Sequence, residues 1–332
     1  MHSEYMKRAL DLAKAGLGRT SPNPTVGCVI VKNNQIIGEG RTADGGRPHA
    51  EAVALERAGQ QAKGATAYVT LEPCSHHGQT PPCARRLIDA GIKHVVVACE
   101  DTNPQVAGDG IRMLQDAGVQ VSTGICAQQA KALNAGFFLR FSEKRPFITL
   151  KMALSADGKI AASGGAPIQI SSDQSIAHMH RNLRATHDSI LVGMETVIND
   201  NPRLTVRHVP EENVHILTHV VLGDPLRFPD DSHLRDREGE APLLIYKTHN
   251  LTEVLEDLAL NHGLTRLMVE GGAQVMQSFL NAGLWDQIYL YHGSAIIGDD
   301  GVKAPDFTSV KNYLSETQKI GDDRLDIYTR QA

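Results

Sequence analysis

Two stretches of the 332-residue sequence decide the fold: His49-Ala50-Glu51 and Glu72-Pro73-Cys74-Ser75-His76-His77-Gly78-Gln79-Thr80-Pro81-Pro82-Cys83. One imidazole and two thiols are ligands that suit zinc, and three protein ligands leave a fourth tetrahedral position open, as in catalytic zinc sites. Glu51 is close enough to His49 in sequence to take a proton from an attacking water and return it to a leaving group. The pattern therefore predicts a catalytic zinc centre on His49, Cys74 and Cys83, with Glu51 as the proton shuttle.

This order of residues resembles the signature of the zinc nucleobase deaminases, H-x-E followed by P-C-x-x-C. It departs from the signature in the distance between the cysteines, which are Cys74 and Cys83 here. Two alternatives stay open on these residues alone. One is a zinc deaminase of free nucleosides, guanine or tRNA adenosine. The other is a zinc-stapled binding module without chemistry, in which His76 or His77 supplies a fourth protein ligand.

Composition limits the class of protein. The chain is 41% hydrophobic and 21% charged, as is usual for globular proteins, and its length predicts two domains. A net charge of −5 without a basic run argues against a nucleic-acid partner. No stretch approaches the roughly 20 apolar residues of a membrane span, and the amino terminus lacks the apolar core of a signal peptide. The 5 cysteines are an odd number, which indicates a reducing, cytoplasmic location.

The first half of the chain has the periodicity of an α/β layered domain. The predicted elements are helix 3–15, a hairpin of strands 27–31 and 35–40, helix 50–58, strand 66–71, helix 83–90, strand 94–98, helix 110–117, strand 119–123 and helix 130–143. Both metal-bearing segments fall at helix starts, where the positive end of a helix favours thiolate. Lys144-Arg145-Pro146 then interrupts the pattern. This predicts one domain over residues 1–145 and a second over residues 146–332.

The second half alternates strands and helices in the same way. The predicted strands are 147–153, 189–193, 219–222, 243–247, 267–270, 287–292 and 326–330, and the predicted helices are 172–184, 194–199, 251–262 and 273–282. Ser172 is the predicted N-cap of its helix. Gly271-Gly272, between a strand and a helix, would let backbone N–H groups meet a phosphate, although the dinucleotide fingerprint is absent. Arg184 and Arg207 are either solvated charges or a pair that clamps a phosphate.

The first half closely resembles the pyrimidine deaminase of riboflavin biosynthesis. The resemblance rests on 21–27, His49-Ala50-Glu51, 70–83 and Asp101-Thr102-Asn103-Pro104, and the long loop between the cysteines is this family's form of the motif. It implies a cytidine-deaminase-like α/β/α domain, with the zinc ligands and proton shuttle named above. It further implies that the substrate lies along Asn23, Asp101 and Asn103. Position 79 is commonly basic in the family, and here it is Gln79.

The second half resembles the reductase that follows this deaminase in riboflavin synthesis. The resemblance rests on segments 150–159, 183–184, 193–207 and 269–272. It implies a dihydrofolate-reductase-like α/β domain. It places NADPH near Ala153, Ser172, Thr196, Asp200 and Gly272, and the phosphorylated sugar near Arg184, Leu204, Arg207 and Glu270. Asn201 stands where the family usually has a second aspartate.

Together the two resemblances extend from Tyr5 to about Tyr328 and imply a bifunctional enzyme. The first reaction would be zinc-dependent hydrolytic deamination of 2,5-diamino-6-(5-phosphoribosylamino)pyrimidin-4-one to 5-amino-6-(5-phosphoribosylamino)uracil. The second would be NADPH-dependent reduction of the ribosyl group to a ribityl chain. The resemblance implies a small-molecule substrate and a homo-oligomer assembled through the reductase domain.

Overall fold

The computed structural model describes residues 2–77, 81–102, 107–166, 168–235, 241–248 and 250–330. The chain divides into two compact units, Met1–Lys144 and Arg145–Ala332. Each unit has its own sheet and its own hydrophobic core. Within the described ranges, no helix combines the length and apolar character that crossing a membrane requires.

The first unit is a mixed sheet with helices packed on it. Its elements are α1 (His2–Lys14), β1 (Gly27–Lys32), β2 (Gln35–Arg41), α2 (Ala50–Ala58), β3 (Thr66–Leu71), α3 (Cys83–Asp89), β4 (His94–Cys99), α4 (Asp109–Asp116), β5 (Gln120–Thr123), α5 (Ala127–Leu133) and α6 (Ala135–Ser142). The strand order is β2-β1-β3-β4-β5. Strand β1 runs antiparallel to β2 and β3, whereas β3, β4 and β5 are parallel. This confirms the predicted α/β class.

Small residues let two helices approach this sheet from opposite faces. A Cβ atom on Gly27 of β1 would lie 1.9 Å from the carbonyl oxygen of Ala9 in α1, and one on Gly40 of β2 would lie 2.9 Å from that of Ala50 in α2. Gly40 pairs with Cys28, the neighbour of Gly27, and successive strand residues face opposite sides of a sheet. Helices α1 and α2 therefore cover opposite faces, which gives the α/β/α layers.

The predicted helix 130–143 is instead two helices, α5 and α6, which meet at Asn134. Asn134 is buried and leaves the helical conformation, with φ −99° and ψ 17°. Its Oδ1 accepts a hydrogen bond from the Thr25 N–H at 2.9 Å, and its Nδ2 donates to the Thr25 carbonyl at 3.0 Å. The Asn134 side chain therefore satisfies both backbone groups of Thr25 and fixes the start of α6 against the loop that precedes β1.

The second unit contains a larger sheet. Its elements are β6 (Phe147–Leu154), β7 (Lys159–Ala161), α7 (Asp173–Asn182), β8 (Ser189–Gly193), α8 (Met194–Asp200), β9 (Thr218–Leu222), β10 (Leu243–Tyr246), α9 (Leu251–Leu260), β11 (Arg266–Val269), α10 (Ala273–Ala282), β12 (Gln287–His292), β13 (Val302–Lys303), β14 (Leu314–Ile320) and β15 (Asp323–Thr329). The strand order is β10-β9-β8-β11-β6-β12-β15-β14. The first six strands of this order, from β10 through β12, are parallel to their neighbours. The pairs β12–β15 and β15–β14 are antiparallel.

The two faces of this sheet belong to different cores. In β8, Leu191 packs in one cluster while its neighbours Ile190 and Val192 pack in the other, and β11 divides in the same way between Leu267 and Met268. Buried strands of this kind are continuous apolar runs, as expected when both faces of a parallel sheet are covered. These runs made the central strands predictable. The edge strand β14 was not predicted, because its residues are mostly exposed and polar.

A neutral histidine ties the end of α7 to the central strand β6. His187 is 1% exposed. Its Nδ1–H donates to the Leu183 carbonyl at 2.6 Å, and its Nε2 accepts from the Thr149 hydroxyl at 2.8 Å. Burial, followed by the nearby Arg266 guanidinium, lowers the pKa of His187 to about 3. The folded unit therefore holds this imidazole in its neutral form.

Replacing Asn134 with alanine will destabilise the first unit. The Thr25 N–H and carbonyl are buried with this side chain and would lose their partners, at a cost of about 1–3 kcal/mol for each unpaired group. Calorimetry of the full chain will show the unfolding transition of the first unit at a lower temperature and that of the second unit unchanged. Gln129→Ala, at an exposed position on α5, is the control. Equal shifts for both variants would contradict the role given to Asn134.

The second unit will lose stability as the pH falls from about 6.5 towards 3. In this window the unfolded chain protonates His187 and the folded unit does not, which amounts to as much as about 1.4 kcal/mol per pH unit. Urea unfolding can be followed through the fluorescence of Trp285, the single tryptophan, which is buried in this unit. His187→Gln should reduce the slope of unfolding free energy against pH, whereas His262→Gln at an exposed position should not. An unchanged slope in His187→Gln would show that His187 does not cause this loss of stability.

Candidate active sites

Three potential zinc ligands converge in the first unit. His49 is the N-cap of α2, Cys74 follows β3, and Cys83 is the first residue of α3. The His49 Nδ1 lies 3.4 Å from the Cys83 Sγ and 3.7 Å from the Cys74 Sγ. A tetrahedral zinc with bonds of about 2.3 Å to sulfur and about 2.0 Å to nitrogen would hold such atoms about 3.5 Å apart. The predicted donor set therefore fits zinc in type and spacing.

The fourth position of this cluster has no protein ligand among the described residues. The ligand atoms of His49, Cys74 and Cys83 lie within 4.8 Å of one another, and this group includes neither His76 nor His77. Both of those side chains are exposed. The arrangement therefore matches a catalytic zinc site with an open position rather than a closed structural site.

Glu51 lies against this cluster. Glu51 is 3% exposed, and its carboxyl interacts with the Cys83 thiol. Burial, followed by the charge of Cys74, raises the pKa of Glu51 to about 7. Hydrogen bonds from Cys83 and then His49 lower the pKa of Cys74 to about 4, although burial opposes them. A carboxyl with a pKa near neutrality is suited to both accepting and returning a proton.

A cleft of about 200 Å³ opens beside the cluster. The predicted residues Asn23 and Asp101 line it, together with Glu51. The Asn23 Nδ2 also donates to the Gly46 carbonyl at 3.0 Å, which fixes the orientation of the amide. Asn103 and Gln79 lie outside the described residues.

Glu72 has a structural role that sequence reasoning missed. Its buried carboxylate accepts hydrogen bonds from four backbone N–H groups after β4 and at the start of α4. The donors are those of Asp101 at 3.2 Å, Gly108 at 3.0 Å, Gly110 at 2.9 Å and Ile111 at 3.2 Å. A Cβ atom on Gly110 would lie 1.9 Å from the Pro73 carbonyl oxygen. The segment that carries Cys74 therefore holds the segment that carries Asp101. A charged residue directly after a buried strand was the available signal.

Further cleft residues come from α6, which the sequence analysis did not connect with the site. Phe137, Arg140 and Phe141 line the cleft, and the Phe137 and Phe141 rings meet edge to face with centroids 5.1 Å apart. Arg47, before the metal ligand His49, lines it too. The aromatic run of α6 was visible in the sequence, but its contact with loop 20–26 was not.

In the second unit, parallel pairing brings three of the predicted cofactor residues to one edge of the sheet. Strand β11 lies between β6 and β8. Ala153 is near the end of β6, Thr196 follows β8, and Gly272 follows β11. A Cβ atom on Gly272 would lie 3.8 Å from the Thr196 Oγ1. Ligands of open α/β sheets bind at the carboxyl ends of the strands, so this edge suits a dinucleotide.

The remaining predicted cofactor residues lie at helix ends. Ser172 is the N-cap of α7, as predicted, and its Oγ accepts from the Ser175 N–H. The Ser172 N–H and hydroxyl both donate to the buried Asp323 carboxylate, at 2.7 and 2.8 Å. Asp200 is the exposed last residue of α8. No measured contact joins either residue to Thr196 or Gly272 in the described part of the unit.

Two of the predicted sugar residues pair with each other. Arg184 and Glu270 form a bidentate ion pair with distances of 2.8 and 3.0 Å. Burial raises the pKa of Glu270, but the charges of Arg184 and Lys151 outweigh it and lower that pKa to about 2. Arg184 also donates to the Thr205 carbonyl at 2.9 Å. The pair therefore anchors the loop that carries Leu204 and Arg207 to the end of β11.

Within this loop, Leu204 is buried and Arg207 is exposed. Leu204 has a φ of 46°, in the left-handed region that a leucine rarely adopts. The Arg207 N–H donates to the Nδ1 of the buried His180 at 3.1 Å. Lys151 and His180 are thus neighbours of the predicted sugar residues that sequence reasoning did not include.

Both units match known protein families. Residues 146–325 match the family model of the RibD C-terminal domain, and residues 1–99 match the cytidine and deoxycytidylate deaminase zinc-binding region. Riboflavin biosynthesis protein RibD of Aquifex aeolicus is 40% identical over 98% of both chains. The structure of Acinetobacter baumannii RibD has a TM-score of 0.89 at 36% identity, covering 99% of both chains.

A Thermotoga maritima structure described as a diaminohydroxyphosphoribosylaminopyrimidine deaminase/5-amino-6-(5-phosphoribosylamino)uracil reductase has a TM-score of 0.86. It is 31% identical and covers 99% of both chains. The fold, the metal cluster and these matches define a bifunctional enzyme in which a zinc-dependent deaminase precedes a reductase. The chain belongs to the RibD family of riboflavin biosynthesis. Zinc and NADPH are its cofactors, as predicted.

Glu72→Ala will release the segment around Asp101 while leaving the zinc ligands in place. Four N–H groups lose their acceptor, and hydrogen exchange should accelerate at Asp101, Gly108, Gly110 and Ile111 because these amides are no longer held. Mass spectrometry of exchange measures this, and zinc content should stay near that of the unaltered chain. Glu100→Ala removes an exposed charge from the same region and should leave exchange unchanged. Unaltered protection in Glu72→Ala would show that Glu72 does not hold the segment.

Proposed function

We propose that residues 1–145 remove an amino group by hydrolysis from 2,5-diamino-6-(5-phosphoribosylamino)pyrimidin-4-one. Residues 146–332 then reduce the ribosyl group of the product to a ribityl chain. The observation that carries this proposal is the zinc-compatible cluster with Glu51 at the wall of the adjoining cleft. The Thermotoga maritima relative is described by these same two activities.

In the deaminase, His49, Cys74 and Cys83 would hold zinc. Bound zinc supplies a Lewis acid that makes water more acidic. Glu51 accepts a proton from the attacking water while the water oxygen bonds to the ring carbon that carries the amine. Glu51 then returns the proton to the amine nitrogen, the carbon–nitrogen bond breaks, and ammonia leaves. Asn23, Asp101 and Asn103 hold the pyrimidine so that this carbon faces Glu51.

In the reductase, Ala153, Ser172, Thr196, Asp200 and Gly272 would hold NADPH, which supplies the hydride. Arg184, Leu204, Arg207 and Glu270 contact the phosphorylated sugar. Within this set, the Arg184–Glu270 pair keeps the loop in place, and the exposed Arg207 provides a cation for the phosphate. We further propose that the enzyme is cytoplasmic and that it assembles as a homo-oligomer through the reductase domain.

A coupled assay on the purified full chain tests the order of the two reactions. The diamino-pyrimidinone phosphoribosylamine is supplied, and ammonia and NADPH absorbance are followed, with bound zinc quantified. Ammonia should appear with or without NADPH, and NADPH should be consumed only after ammonia appears. Ammonia without NADPH consumption would refute the assignment of residues 146–332. Absence of both signals from a chain with one bound zinc would refute the assignment of deaminase activity to residues 1–145.

Glu51→Gln should reduce ammonia release more than about a hundredfold, because proton transfer contributes about that much or more. Reduction of the deaminated substrate should continue at the unaltered rate, and zinc should remain bound. Glu56→Gln, at an exposed position on the same helix, is the matched control. A parallel loss of both activities would contradict the division of labour between the units.

A further inference from the structure

We propose that Arg140 binds the phosphate group of the deaminase substrate and so determines its preference for a phosphorylated ribosylaminopyrimidine. The inference rests on the proposed function, because that function supplies a substrate with a phosphate at one end and the reacting pyrimidine at the other. It concerns a residue of α6 that lines the cleft of the metal cluster.

Arg140 is a partly buried cation without a counter-charge among the described residues. Its Nε is inaccessible to solvent and has no hydrogen-bond partner in the described part of the unit. Its Nη1 donates to the Pro22 carbonyl at 3.4 Å, which is long for a hydrogen bond. Leaving a buried charged donor unpaired costs free energy, so an unpaired guanidinium in a cleft indicates that an anion completes the site.

The surroundings of Arg140 suit a phosphate, which is the anion that the proposed substrate carries. A guanidinium presents parallel N–H donors that match two oxygens of a phosphate. The Phe141 ring lies 5.6 Å from the guanidinium carbon and supports it from one side. Burial lowers the pKa of Arg140, and a dianion beside it would offset that loss.

Two of the three carboxylates that line the cleft, Glu51 and Glu72, have other partners. Glu51 lies against the Cys83 thiol, and Glu72 accepts four backbone N–H groups. Neither therefore neutralises Arg140 by an ion pair. Position 79 is the uncharged Gln79. Arg140 therefore remains a cation of this cleft that forms no ion pair among the described residues.

The test compares ammonia release from the phosphorylated substrate and from its dephosphorylated riboside. Arg140→Gln should raise KM for the phosphorylated substrate about ten- to a hundredfold, the effect of one charged hydrogen-bonding contact, with kcat changed little. KM for the riboside should stay the same. Arg140→Lys, which keeps the charge without the paired donors, should give an intermediate KM. Arg85→Gln removes an exposed arginine of α3 in the same unit and should change neither value.

Inorganic phosphate provides an independent probe. It should compete with the phosphorylated substrate in the unaltered enzyme and lose this effect in Arg140→Gln. An equal rise in KM for both substrates, or undiminished phosphate inhibition in Arg140→Gln with zinc still bound, would overturn the inference while leaving the deaminase assignment intact. Absence of ammonia from the phosphorylated substrate with the unaltered, zinc-loaded chain would instead overturn the proposed function itself.

Discussion

The carboxylate of Glu72 joins the two loops on which the deaminase site depends. A buried charge is stable only when its oxygens are satisfied, and here four N–H groups of the next strand–helix connection satisfy them. Cys74 follows Glu72 by two residues, and Asp101 supplies one of the four donors. The metal ligand and the cleft residue are thus positioned by one interaction, whose strength comes from the absence of competing water.

In the second unit, the topology of the sheet brings the predicted site residues together. Strands β6, β11 and β8 are neighbours and parallel, so the residues that follow them must meet at one edge. The Arg184–Glu270 pair then fixes the adjacent loop, with both charges largely removed from solvent. In each unit, therefore, the sheet supplies the position of the site and a few charged hydrogen bonds supply its detail.

The sequence allowed the metal site to be predicted because zinc chemistry requires particular residue types near helix starts, and His49, Cys74 and Cys83 have them. Central strands were predictable because burial on both faces leaves apolar runs. Residues that act through distant partners were not predictable in this way. Asn134 contacts Thr25 across 109 positions, and Arg140 reaches the cleft through the same contact between α6 and loop 20–26. Local periodicity predicts a continuous helix there, since it carries no information on Thr25.

The contact between α6 and loop 20–26 also bears on when the deaminase site can form during synthesis of the chain. The proposed zinc ligands lie within the first 83 residues, whereas α6, one wall of the cleft, ends at Ser142. Chains emerge from the ribosome amino terminus first, and domains fold as units during synthesis. The site is therefore complete only once residue 142 has been made, and a chain that ends before α6 would carry the proposed ligands without this wall of the cleft.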